Sequence, residues 1–142
     1  MCVDELKLEK IVDLILKFQE VELYSISEQI EKIEEAKSNS EKCRMSRTAL
    51  EMFVKLILKN HKIEQKQGFF SNLGKVKDLG IIDKSELKLI SYQYSMASKI
   101  VHEEKEDTKK NTLVAINGIF NDLEILIVKY QDWKDKNKPD LD

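Results

Sequence analysis

Among the residues whose types lend themselves to chemistry, His102 stands first, because an imidazole titrates near neutral pH and can take or give a proton. It ends an amphipathic run, Leu87 to Asp107, and has Lys99, Glu103 and Glu106 for neighbours. Glu106 is one helical turn on from His102 if the helix reaches that far. Lys99 lies three residues before His102 and four before Glu103, so it either faces an anion or pairs with that glutamate. The plainer reading of His102 is a partly exposed histidine at a helix end.

The other histidine, His61, follows the end of a helical run, where the helix dipole favours a protonated ring and supplies a structural reason for it. Neither histidine has a third ligand at coordination spacing, so no metal is expected. Gly74 and Gly80 are too sparse for a phosphate loop, and no cofactor is expected either. Arg44 and Arg47 are the only arginines and share a basic segment with Lys42. A guanidinium binds phosphate through two parallel hydrogen bonds, so these three residues are the candidates for RNA or nucleotide contact. Tyr92 and Tyr94, close to Lys99, have rings that stack on bases. Tyr94 falls on an apolar stripe, which favours packing, whereas Tyr92 is freer. Arg47 followed by Glu51 is equally a surface ion pair.

Helices must position these residues. No glycine or proline occurs between Asp4 and Lys37, and two apolar runs, Leu8, Ile11, Ile15, Phe18 and then Leu23, Ile26, Ile30, Ile33, have helical spacing one residue out of phase. Ser25 and Glu28 match a capping box, so this segment is one bent helix or two helices meeting near 24–27. Ser38 or Ser40 caps the next helix, about Glu41 to Lys59, which buries Met45, Ala49, Phe53, Leu56 and Ile57. A shorter helix, about Ser71 to Leu79, presents Phe70, Leu73 and Val76 and stops at Gly80. Asp83 and Glu86 form a second capping box, ahead of the stripe Leu87, Ile90, Tyr94, Ala97 and Val101. Glu103 to Lys110 reads as a charged turn, and a last helix, about Asn111 to Trp133, carries Ile116, Phe120, Leu123, Ile127 and Tyr130. The expectation is an all-α, mainly antiparallel bundle of five to six helices forming one domain over 1–136, with a polar tail at 137–142.

Composition agrees. The chain has 142 residues, with four glycines and one proline, too few helix breakers for a turn-rich sheet protein. Cys2 and Cys43 make neither a disulfide framework nor a metal site, and the start has no long apolar run, so a reduced cytoplasmic compartment without membrane insertion is expected. Charge is uneven: Met1 to Ala36 holds four lysines against ten acids, and Lys37 to Leu79 holds ten basic residues against four acidic. The opposite charges either meet inside the bundle or leave a basic surface for an anionic ligand.

Three segments together, SRTALEMFVKLILK (46–59), FFSNLGKVKDLGIIDKSELKLI (69–90) and ASKIVHEE (97–104), resemble the HEPN superfamily, in particular its small prokaryotic branch near defence and restriction genes. Ser46, Arg47, Ala49, Leu50 and Glu51 match that branch's A-R-x-A-L-E helix. Leu79, Gly80, Ile81 and Ile82 echo its L-x-x-x-G-x-I, and His102 takes the histidine of its G-N-x-A-A-H. The likeness covers Ser46 to Trp133. It implies an HEPN-like bundle, a homodimer, and in nuclease members metal-independent RNA cleavage by an R-x(4–6)-H motif paired across the dimer.

Here the positions for that arginine are Ala97, Met96 and Ser95, and the G-N pair is replaced by Ala97 and Ser98. Attack by a 2′-hydroxyl needs a base and a cation for the developing charge, and a charge stabiliser of this kind contributes about 10² to 10³ in rate. The resemblance therefore implies a non-catalytic binding or regulatory module with a protein partner, in a prokaryotic or phage conflict system. An endoribonuclease using His102 with Lys99, or with Arg44 or Arg47 should packing bring their helix alongside, is the alternative. A structural adaptor docking through its N-terminal helix is the third possibility.

Overall fold

The computed structural model describes residues 5–16, 21–103 and 109–137, with side chains for 9–13, 16, 25–101 and 112–137. Six helices follow one another: α1 (Glu5–Leu16), α2 (Val21–Ile33), α3 (Asn39–Asn60), α4 (Phe69–Asp78), α5 (Lys84–Glu103) and α6 (Lys109–Lys136). No strand occurs among the described residues. The all-α bundle is what the periodicity requires, since each apolar stripe has to be covered by another.

The long helix α3 is the axis of the bundle, with α2, α4, α5 and α6 all packed against it, while α1 lies on α2 and α6. Its buried side chains include Cys43, Ala49, Leu50, Phe53, Val54 and Ile57. The expected stripe of α6, Ile116, Phe120, Leu123, Ile127 and Tyr130, is buried throughout. In α4 the register differs from expectation: Phe69 is buried and Phe70 is 50% exposed. The helix begins at Phe69 itself, so Phe69, Leu73 and Val76 share one face and Phe70 turns away.

Local signals set most of the ends. Ser38 caps α3, its hydroxyl accepting the Glu41 N–H at 3.1 Å. Asp83 and Glu86 form the reciprocal capping box of α5, at 2.8 and 2.9 Å. Gly80, with φ of 88°, ends α4 in a Schellman motif, the Gly80 and Ile81 amides donating to the Lys77 and Val76 carbonyls. The same motif ends α3, but there the left-handed position is Lys62, with φ of 58°. The Ser25 to Glu28 pattern does not start a helix, since Ser25 lies inside α2; residues 17–20, between α1 and α2, lie outside the described residues. A capping box needs a preceding non-helical residue, and α2 already includes 21–24.

Packing between α5 and α6 holds a polar lock that the apolar pattern conceals. Asp122 is fully buried on α6. With its amide nitrogen turned to that carboxylate, Gln93 of α5 donates to Asp122 Oδ2 at 2.8 Å and to the Gly118 carbonyl at 3.3 Å. A Cβ at position 118 would stand 3.1 Å from the Gln93 amide, so glycine there keeps room for the lock. Lys129 and Glu86, 3.6 Å apart, register the same pair of helices nearer the α5 start.

Candidate functional site

The antiparallel seam between α3 and α5 is where the chemistry-bearing residues of the two helices meet. Cys43 Sγ lies 3.8 Å from the Ala97 carbonyl, and a turn along α3 the Arg47 guanidinium sits 5.8 Å from the centre of the Tyr94 ring. Tyr94 donates its phenol to Glu51 Oε1 at 2.6 Å, and Arg47 Nε stands 3.6 Å from that same oxygen. That distance is too long for a hydrogen bond, so Arg47 and Glu51 attract as charges across a buried gap. On its other side Tyr94 stacks on Phe69 at 4.0 Å and meets Phe70 edge-on at 5.4 Å.

Burial, the Glu51 hydrogen bond and the Glu51 charge push the Tyr94 hydroxyl up to about 12, with Arg47 and Ser98 pulling weakly the other way. Burial likewise pushes the Cys43 thiol up to about 11, against the nearby Arg47 charge. A thiol held that high is a poor nucleophile, and Cys43 serves packing.

The backbone of His102 is in the last turn of α5; its side chain lies outside the described residues, as do those of Glu103 and Glu106. Tyr94 and His102 are eight residues apart, which is about 12 Å along the helix axis at 1.5 Å per residue. Arg47 is held at the level of Tyr94. Packing thus brings α3 alongside α5 but places the Arg47 head group about two turns from the level of His102.

The remaining candidates scatter. Lys99 and Tyr92, seven residues apart, are exposed on one outer face of α5, Tyr92 at 66%. Arg44 is exposed on α3, and Lys42 is half-buried, with its carbonyl accepting the Ser46 hydroxyl at 2.8 Å. The aromatic partner of the arginine is therefore Tyr94, with Phe70 beside it, and not Tyr92. Arg47 followed by Glu51 was legible as a pair; the third member, Tyr94, was visible only as a residue of the apolar stripe.

His61 caps the other end of α3 and is tied into the core. Its Nε2 is 3.0 Å from the Tyr130 hydroxyl, and its ring meets those of Tyr130 and Trp133 edge-on. Trp133 donates to the Leu79 carbonyl at 3.0 Å, joining this cluster to the end of α4. Among the described residues no group of three or more histidine, cysteine or acidic side chains is arranged to hold a metal ion. No described helix is long and apolar enough to cross a membrane.

Ion pairs among the described residues include Lys10–Glu124, Arg47–Glu51, Lys77–Asp78 and Lys129–Glu86. Glu9, Asp13, Glu31 and Glu34 line a groove between α1 and α2, with Val12 among them. No family model, curated protein or solved structure matches the chain.

Proposed function

We propose that this chain is a non-catalytic HEPN-like binding or regulatory module, cytoplasmic and homodimeric, that engages a protein partner in a prokaryotic or phage conflict system, as in antiphage defence, toxin neutralisation or counter-defence. The setting follows from the sequence resemblance. The observation that carries the non-catalytic reading is the disposition of Arg47, which Glu51 and Tyr94 hold about two turns of α5 from the level of His102. With Ala97, Met96 and Ser95 at the positions of the motif arginine, the chain has no arginine where the motif places the cation for phosphoryl chemistry.

The test is incubation of the purified chain with single-stranded RNA in the presence of a chelator. The expected result is intact RNA with both the native chain and His102→Ala. Metal-independent cleavage that disappears in His102→Ala would overturn this reading in favour of the endoribonuclease. RNA binding without cleavage, weakening steeply with salt and reduced by Arg44→Ala, would make the ligand of the module nucleic acid. Arg44 is the cleaner probe because its side chain is exposed and carries no packing role.

A further inference from the structure

The outer side of the α5–α6 seam carries apolar side chains that do not serve the core. Glu86 meets Lys129, and Gln93 meets Gly118 and Asp122, so the two helices run antiparallel and these residues mark their facing rows. Leu89 lies three residues after Glu86 and four before Gln93, and Met96 three after Gln93, so both line that row on α5. Val114, four before Gly118, and Ile125, three after Asp122, line it on α6. Leu89 is 41% and Val114 54% exposed. Met96 and Ile125 are half-buried, and neither packs against the described core. Between the rows Gly118 has no side chain and Gln93 turns in toward Asp122, so the middle of the seam is a shallow valley.

The charge of this face is one-sided. Between 84 and 101 the only acid is Glu86, and between 112 and 131 the acids are Asp122 and Glu124. Glu86 is 3.6 Å from Lys129, Asp122 is fully buried, and Glu124 is held by Lys10 at 3.0 Å. Exposed Lys88 and Lys99 therefore make the α5 edge of the valley basic, with exposed Tyr92 between them. In a chain with 35% charged residues, apolar walls beside a lysine edge mark an interaction surface. We propose that this valley receives an amphipathic helix with an acidic edge, presented by a different protein. Two antiparallel walls accept a third helix along their length. A bilayer is entered by a protruding apolar face, and a nucleic-acid strand is held by cations and ring faces, not by aliphatic walls. The partner's apolar row sits on Leu89, Met96, Val114 and Ile125, and its acids face Lys88 and Lys99. This gives the protein partner of the reading above its chemistry, and it rests on that part of the reading alone.

The test is a titration of the full chain, isotope-labelled at its methionine methyls, with a synthetic helix of about 20 residues bearing leucine at heptad positions and glutamate beside them. A counterpart with lysine for each glutamate is the control. The Met96 methyl should shift and saturate with the acidic peptide, while Met52, in the groove between α2 and α3, should stay unmoved. Neither should respond to the lysine peptide. Raising salt from roughly 20 mM to 300 mM should weaken binding several-fold. Leu89→Ser should weaken it about tenfold, and Lys88→Glu with Lys99→Glu should transfer binding to the lysine peptide. These three side chains are exposed, so the fold persists in the variants, which a thermal melt verifies. A silent Met96, a shift at Met52 instead, or an equal response to both peptides would each overturn the proposal. So would a Met96 signal that moves with protein concentration alone, or only with phosphatidylserine vesicles or single-stranded RNA. Metal-independent RNA cleavage lost in His102→Ala would overturn the reading above without silencing Met96, and a silent Met96 beside intact RNA would overturn the docking alone.

Discussion

The two ends of α3 handle a reactive side chain in opposite ways. Past its last turn, His61 is locked by the Tyr130 hydroxyl and wedged edge-on against two aromatic rings, so its ring nitrogen serves the core. In its first half, Arg47 is held by a single charge at 3.6 Å and by the face of Tyr94, and the surrounding seam is only partly closed. The histidine end is a packing device with a polar tip. The arginine end is a polar arrangement with packing around it. The lesson is that residue type alone does not mark a site; what matters is how much of the side chain's bonding capacity the fold has already taken.

Substitutions can break this contrast, and the largest effect belongs to the histidine end. Tyr130→Ala empties a buried aromatic site and strips the hydroxyl from His61 and Asn60, and chemical denaturation should show a loss of about 3–5 kcal/mol. At the arginine end Arg47→Ala leaves Glu51 half-buried with Tyr94 as its remaining partner, for an expected loss of about 1–2 kcal/mol by the same measurement. A loss at Arg47 as large as that at Tyr130 would erase the distinction between the two ends.

Alkali sharpens the comparison. The Tyr94 hydroxyl ionises near 10 when unfolded and is pushed up to about 12 in the fold, so the folded chain keeps a proton that the unfolded chain gives up. Its contribution to stability is fully present below pH 10 and is lost as the pH rises toward 12. Tyr94→Phe should cost about 1 kcal/mol at neutral pH and flatten the stability profile over that window, apart from the slope that Cys43 adds between 9 and 11. An unchanged profile in Tyr94→Phe would mean that the phenol is not held by Glu51.

The smallest expected effect has the opposite sign. Lys62 occupies a left-handed position that glycine takes without steric cost, so Lys62→Gly should raise stability by about 0.5–1 kcal/mol. The increase would appear in the thermal midpoint and leave the Arg47 seam untouched.

Much of this architecture was readable along the chain. The helical stripes of α3 and α6, the Ser38 cap, the Asp83–Glu86 box and the stop at Gly80 depend on residues close in sequence, and local geometry settles them. No helix starts at Ser25, because a Ser-x-x-Glu pattern also fits a helix interior, as it does within α2. Phe69 and Phe70 are neighbours that a one-residue shift in the start of α4 exchanges between core and surface. Asp122, one residue before Leu123, gave no sign of burial: its partner Gln93 is on another helix.

By itself the sequence determined that this chain is a helical bundle, where most of its helices end, and that the motif arginine before His102 is missing, because periodicity, capping and residue identity are all local. Tertiary structure alone decided that Arg47 faces Tyr94, that His61 joins the Tyr130 and Trp133 rings, and that Gln93 meets the buried Asp122. Those are distances between residues far apart in the chain. They follow from the antiparallel register of α3 against α5 and from the order in which the helices cover one another's apolar faces, and no local pattern encodes either.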